Sequence, residues 1–373
     1  MTADVAGPSS GMTPFSLLVF VGTLAAGDVD LTVIAARDAA AYRHSEGSAI
    51  ELPDGRLLLA WSRFAGAEGD DNGKATLVLA ESKDDGTTWS EPRALPVGPA
   101  AINIMQAAFL PVRNRLTLAF SVRGGGKSVK YAIDSVDGGR TWTERRMLFD
   151  AGGPNDRILM PSHRVSKQRV GGYEDMEVLV ARSDDEGITW TLSDLIDHEK
   201  HAMELKEKNA KPLKVHEPAV AELEDGRLFM LARSTAGVLY RSWSRDGGET
   251  WGDFTPTTIT SFAAPPFLRA MGNGRIALLW NPITGPGEGQ AQKMQRLNLP
   301  VPYGPRIRLA LATTTDGEHW STPLTVAEDG THGFCYPAVL VRRNGDLLVF
   351  CSRTPDIISP CDLVMVGPLS IRP

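Results

Sequence analysis

Short runs in which apolar residues alternate with polar or small ones recur along the chain: TLVLAES at 76–82, SVKYAIDS at 128–135 and RLALATT at 308–314. A period of two puts successive side chains on opposite faces of an extended backbone, so each run predicts a β-strand. A second set of runs follows a tight-turn dipeptide: LPDGRLLLAWSRF (52–64), LEDGRLFMLARS (223–234), GNGRIALLWNP (272–282) and RNGDLLVFCSR (343–353). Asp-Gly or Asn-Gly between alternating hydrophobic segments is the strongest short-range hairpin signal. No helical period lies between these strands.

A polar octet closes five of the units: SKDDGTTW (82–89), SVDGGRTW (135–142), SDDEGITW (183–190), SRDGGETW (244–251) and a worn copy, TTTDGEHW (313–320). The octet tryptophans Trp89, Trp142, Trp190, Trp251 and Trp320 stand roughly 50 to 70 residues apart, a period typical of solenoids, propellers or arrays. Several antiparallel strands per period fit four-stranded blades around an axis, which leave only short, protected edges. Hairpins starting near residues 50, 110, 160, 222, 272 and 343 predict six blades. The sixth ends in DLVMVGPLSIRP without an octet, and the early strand DLTVIAA (30–36) has no blade of its own. The early strand is therefore expected to complete the last blade and close the ring. Within each octet, Asp should accept hydrogen bonds from turn backbone, Gly should take φ > 0, and Trp should fill the gap against the next strand. The repeat reports the fold rather than a reaction.

Composition narrows the partners. The 373 residues fit one propeller domain (29–373) preceded by an extension (1–28). Within that extension MTPFSLLVFVGTLAAG (12–27) looks like a degenerate signal segment. No Lys or Arg precedes Arg37, the run is too short to span a bilayer, and cytoplasmic residence is favoured over secretion or periplasmic export. The formal charge of −6, with no basic patch interleaved with aromatics, argues against nucleic acid as a partner, and no membrane partner is expected. Cys335, Cys351 and Cys361 are too few and odd in number for a disulfide framework, and Cys335 and Cys351 read as buried thiols. The charged segment DHEKHAMELKEKNAKPLK (197–214) reads as a solvated helix whose HEKH lacks the HExxH spacing; no metal or cofactor is expected. The Gly- and Pro-rich TGPGEGQAQKMQRLNLPVPYGP (284–305) reads as an insertion in the fifth blade that forms a wall or lid over the axis. Oligomeric state is open.

The S-x-D-x-G-x-T-W octets are Asp boxes, or BNR repeats. With six blades they make residues from about 30 to 370 resemble the bacterial sialidases (neuraminidases), and more narrowly the BNR-repeat sialidase-family proteins. The resemblance implies an all-β, six-bladed β-propeller of sialidase type. It also implies an exo-acting glycoside hydrolase that removes a terminal acidic sugar, sialic acid or a related ulosonic acid, from a glycan or glycoconjugate. Hydrolysis would proceed with retention through a tyrosyl-enzyme intermediate. A carboxylate on the anomeric carbon calls for guanidinium clamps, which give paired charge-assisted bonds. It would repel a carboxylate nucleophile, whereas a neutral tyrosine can approach with a Glu as its base.

Carried over residue by residue, the resemblance makes Arg43 of YRHSEG the first clamp member, although His44-Ser45 replaces the family's Ile-Pro. It makes Asp70 the general acid/base, with Asp71 and Glu68 as rivals. Glu217 in VHEPAV becomes the base and Arg233, sixteen residues on across a hairpin, the second clamp. Tyr336 of GFCYPAV becomes the nucleophile, with its hydroxyl within hydrogen-bond reach of Glu217 and the arginines favouring phenolate character. The third arginine is Arg306 or Arg308, two apart and expected on one strand face, with Arg306 preferred. Asn155, Asp156 and Arg157 are expected to face the axis where the third blade's inner strand begins, with Met105 and Gln106 at the same place in the second. Asp156 and Glu46 join the arginines as substrate-binding candidates and suggest an acidic sugar other than simple sialic acid. Two alternatives stand beside this reading: a non-catalytic glycan-binding propeller, and a glycosidase or lyase acting on another acidic sugar through Glu46 and Asp156.

Overall fold

A computed structural model of the chain describes residues 31–66, 73–110, 112–124, 127–148, 157–170, 173–185, 187–196, 213–283, 306–355 and 360–370. These residues form six small antiparallel sheets in a ring, a six-bladed β-propeller, with no helix among them. β1 (Leu31–Ala35) comes first and belongs to the last blade. Blade one is β2 (Ala41–Glu51), β3 (Leu57–Ala65), β4 (Ala75–Ser82) and β5 (Arg93–Ala94). Blade two is β6 (Asn103–Leu110), β7 (Leu116–Gly124), β8 (Lys127–Ser135) and β9 (Arg146–Met147). Blade three shows β10 (Ile158–Val170), β11 (Tyr173–Ser183) and β12 (Thr191–Leu192). Blade four is β13 (Val215–Glu222), β14 (Leu228–Ser234), β15 (Val238–Ser244) and β16 (Thr255–Thr260). Blade five is β17 (Phe267–Ala270), β18 (Ile276–Trp280), β19 (Arg308–Thr314) and β20 (Leu324–Glu328). Blade six is β21 (Gly333–Val341), β22 (Leu347–Thr354) and β23 (Asp362–Leu369), with β1 on its outer edge.

Register identifies each strand. The first residue of the octet pairs with the start of a second strand, Leu57 with Ser82, Leu116 with Ser135 and Leu228 with Ser244; in the worn copy the second residue does so, Thr314 with Ile276. In blade three Ile158 pairs with Ser183, so β10 is the equivalent of a second strand. This corrects the placement of Arg157, which lies at the turn into a second strand and not at the start of an inner one. Its guanidinium bonds Asp184 (2.6 Å) and the carbonyl of Gly247 (2.9 Å) in the fourth blade's octet.

The apolar residues gather into slabs between neighbouring blades. Leu57, Leu59 and Trp61 of β3 pack with Leu348 and Phe350 of blade six, while Leu58 and Ala60 face Leu118 and Phe120 of blade two. Similarly, Phe229 and Leu231 face blade five and Met230 and Ala232 face blade three. A second strand buried on both faces must be apolar at successive positions, which is why LLLAW and LFML lose the alternation. The octets complete these contacts from the outer turns. Ser135 Oγ accepts from Gly139 N (2.9 Å) and donates to Asp137 (2.8 Å), and Asp137 accepts from Thr141 N and Oγ. Trp142 Nε1 donates to the Gly139 carbonyl (3.1 Å), and Gly139 takes φ 80°. Trp89 reaches the preceding blade of the ring edge-on at Phe350, and Trp320 does so at Phe229.

The ring closes as expected. Leu31, Thr32 and Val33 pair with Val366, Met365 and Val364, and the Arg37 amide and guanidinium both donate to Asp362 (3.0 and 2.9 Å). At the inner side, the Cys361 and His44 amides bond Tyr42 and Cys361 carbonyls. All three cysteines are buried and none is in a disulfide. The segments 197–212 and 284–305, which carry the expected helix and the expected wall or lid, lie outside the described residues.

Phe229 is fully buried and meets both Trp243 of its own blade and Trp320 of the next. Phe229→Ala is expected to lower the unfolding free energy by about 3–5 kcal/mol, read by urea denaturation with Trp fluorescence. A loss under about 1 kcal/mol would mean that this slab does not hold blades four and five together.

Candidate functional site

Six residues other than glycine have positive φ among the described residues, and four of them fall on inner strands: Glu46 (56°), Gln106 (64°), Glu217 (49°) and Tyr336 (52°). Each marks a one-residue slip in pairing with the second strand. Ser45 opposes Ser62 but Ser48 opposes Ala60; Met105 opposes Ser121 but Ala108 opposes Ala119. His216 opposes Arg233 but Pro218 opposes Ala232; Cys335 opposes Ser352 but Ala338 opposes Phe350. A β-bulge re-aims one side chain out of the pleat, and the left-handed conformation normally calls for glycine at such a place. Holding a larger residue there costs on the order of 1–3 kcal/mol each, strain that concentrates at functional sites. The same backbone device thus delivers Glu46, Gln106, Glu217 and Tyr336 from four blades.

Arginines surround Tyr336. Arg43, fully buried, lies with its guanidinium carbon 4.4 Å from the Phe64 ring centre and 5.9 Å from that of Tyr336. Arg306, 2% exposed, stands 5.8 Å from the Tyr336 ring centre. Arg306 Nη2 and Arg233 Nη1 donate to the same carbonyl, that of Ala263 (2.9 and 3.1 Å). Arg233 also donates through Nε to His216 Nε2 (2.7 Å) and pairs with Glu217 (3.2 Å). Arg43 pairs with Glu46 at 3.6 Å. Arg306 Nη1 and Glu217 Oε2 are buried with no hydrogen-bond partner among the described residues.

Two expectations change. Arg306 and Arg308 do not share a face: β19 begins only at Arg308, so strand alternation does not extend back to Arg306. Arg308 instead pairs with Glu328 (2.8 Å) at the exposed edge with β20. The phenol is also not poised as phenolate. Burial, and then the Glu217 charge, push the Tyr336 pKa above its ordinary value; the Arg233 and Arg306 charges work the other way and are outweighed. No hydrogen bond joins the Tyr336 hydroxyl to Glu217, so the two are coupled through charge. Asp70 with its rivals Glu68 and Asp71, and Asp156 with Asn155, lie outside the described residues.

The residue five places into each second strand is polar in every blade: Ser62, Ser121, His163, Arg233, Asn281 and Ser352. Ser62 Oγ accepts from the Gln106 amide (3.1 Å), Asn281 Nδ2 bonds the Phe334 carbonyl (2.8 Å), and Ser352 bonds the His44 carbonyl (3.1 Å). His163 meets His216 edge-on at 5.8 Å. Burial lowers the His163 pKa against the opposing charge of Glu217, which keeps its imidazole neutral. Aligning the second strands on their first residues reveals this ring, but only Arg233 stands out as a charge in the sequence.

Residues 107–349 match the BNR repeat-like domain family. The chain belongs to that family. No curated protein matches it in sequence. Among solved structures, this BNR-repeat propeller is similar to a Dyadobacter fermentans protein of unknown function (17% identity, TM-score 0.66, 91% of this chain and 97% of that one). It is also similar to the Trypanosoma rangeli sialidase (17% identity, TM-score 0.63, 92% of this chain and 60% of that one). A third is the intramolecular trans-sialidase of Ruminococcus gnavus (13% identity, TM-score 0.63, 92% and 98%). At these identities the likeness establishes the sialidase-type fold.

In the BNR-repeat propeller's His44-Ser45 dipeptide, Ser45 Oγ accepts from Arg43 Nη2 (3.5 Å), and His44 Nδ1 accepts from Trp61 Nε1 (2.9 Å). Burial, and then the Arg63 charge, lower the His44 pKa to about 4. A depressed histidine adds stability that is present above its unfolded pKa, about 6.5, and lost as pH falls toward 4. Denaturant unfolding at pH 7 and pH 4 should show the wild type losing up to about 3 kcal/mol more than His44→Gln. Equal losses in the two proteins would remove His44 as the acid-sensitive group.

Proposed function

We propose that the protein is an exo-acting glycoside hydrolase of sialidase type, acting on a terminal acidic sugar with retention through a tyrosyl-enzyme intermediate. The observation that carries this reading is the grouping of Arg43, Arg233, Arg306 and Glu217 about Tyr336, with two of the guanidiniums fixed on one carbonyl. The propeller from 29 to 373 is the catalytic unit. The guanidiniums bind the sugar carboxylate. Glu217 takes the phenolic proton as the Tyr336 oxygen bonds to the anomeric carbon, and the leaving oxygen departs with a proton from an acid, for which Asp70 is the candidate by resemblance. Water then releases the sugar from Tyr336. A phenol whose pKa is raised stays protonated at rest, so its proton must leave within the step, and Glu217 is the group on hand to take it.

The absence of a hydrogen bond between Tyr336 and Glu217 favours one competing reading, a propeller that binds acidic glycans without cleaving them. Turnover decides between them. The 4-methylumbelliferyl glycosides of N-acetylneuraminic acid and of other ulosonic acids should include a substrate. Tyr336→Phe should fold, retain binding and lose most turnover, and a fluorinated sialosyl fluoride or its ulosonic analogue should label Tyr336 in the wild type. Binding without turnover, or a label on another residue, would remove the mechanism. Arg233→Lys keeps the charge but not the paired geometry and should cost about 1.5–3 kcal/mol of binding. Unchanged affinity in that variant would place the clamp elsewhere.

A further inference from the structure

The residue five places before the one that pairs with each second-strand start (Ser82, Ser183, Ser244 and Thr314) is a buried aliphatic in four blades: Leu77, Val178, Leu239 and Leu309, each with no exposed surface. In blade two it is Lys130. Its ammonium donates to Gln106 Oε1 (2.9 Å) and to Ser121 Oγ (2.6 Å), and the Ser121 hydroxyl donates to the same Gln106 oxygen (2.7 Å). An ammonium can only donate, so the atom it touches must be the amide oxygen. Gln106 Nε2 therefore points away from both, and it makes no hydrogen bond among the described residues. Gln106 occupies the same left-handed bulge position that delivers Glu217 and Tyr336. A lysine in an aliphatic position does nothing for packing, and burial lowers its pKa to about 8 against the nearby Glu46 charge.

We propose that Lys130 is a positioning residue that locks the Gln106 amide with its hydrogens toward the axis, so that the second blade reads a hydrogen-bond acceptor on the bound sugar. This rests on the acidic-sugar reading above. The acceptor is a hydroxyl oxygen on the part of the sugar away from the carboxylate. A cationic amine at that position is rejected.

The test is an amine scan of 2-deoxy-2,3-dehydro-N-acetylneuraminic acid, one hydroxyl replaced by an amine at a time, with each dissociation constant measured calorimetrically. For the wild type, one position should show a loss of about tenfold on amine replacement, the scale of one hydrogen bond. Gln106→Glu presents carboxylate oxygen instead of N–H and should reverse that preference. Lys130→Met frees the amide to turn and should erase it, while Lys130→Arg, also donor-only, should keep it. Arg233→Lys should weaken every member by the same factor, which reports on the carboxylate clamp alone. If the clamp variant weakens all members while Gln106→Glu and Lys130→Met leave the amine penalty unchanged, the acidic-sugar reading stands and this proposal is overturned. If the wild type binds none of them, the proposal falls together with the reading beneath it.

Discussion

Every second strand of this propeller is apolar on both faces, because each face is shared with a neighbouring blade. Leu57, Leu59 and Trp61 serve the last blade while Leu58 and Ala60 serve the second, and the same division recurs at Phe229 to Ala232. Once both faces are committed to burial, polar chemistry can be displayed only at the inner rim, at the turns and at the outer edge. The inner rim is where six blades converge. That geometric fact collects a ring of polar residues from sequence positions as distant as Ser62 and Ser352.

Convergence alone does not aim side chains at a common point, since a regular inner strand would direct alternate residues into the slabs on either side. The extra residue at each bulge breaks that rule locally. Glu46, Gln106, Glu217 and Tyr336 pay for their orientation with left-handed backbone, and second-strand residues bond the Gln106 bulge, Ser121 at its side chain from the same blade and Ser62 at its amide from blade one. Arg233 and Arg306 are held by the Ala263 carbonyl, a rigid acceptor that leaves guanidinium edges for another anion. The result is a cationic floor under a neutral phenol, with carboxylates at Glu46 and Glu217 beside it.

Much of the architecture could be read from the chain. The octets, the Asp-Gly and Asn-Gly hairpins and the unmatched strand at 30–36 are local signals, and the structure has six blades closed by β1 against β23. The grouping of Arg43, Arg233, Glu217 and Tyr336 was visible through the family motifs. What the sequence hid depends on neighbours far along the chain. Arg308 and Arg306 differ because a strand starts between them. The Tyr336 pKa rises because burial outweighs two guanidiniums. Nothing in SVKYAIDS marks Lys130, because its partners Gln106 and Ser121 are set against it only by the register of the second blade.

The closing sheet has a consequence for the timing of folding. β1 is synthesised first, yet its partner β23 begins at Asp362, so the strand waits through more than 300 residues of translation, on the order of tens of seconds at ribosomal rates. Throughout that interval Leu31 and Val33 have no partner strand, and an unpaired hydrophobic edge is a site for association with other chains. The rungs that close the ring join the strands of greatest sequence separation, the kind of pairing whose loop-closure entropy slows folding most.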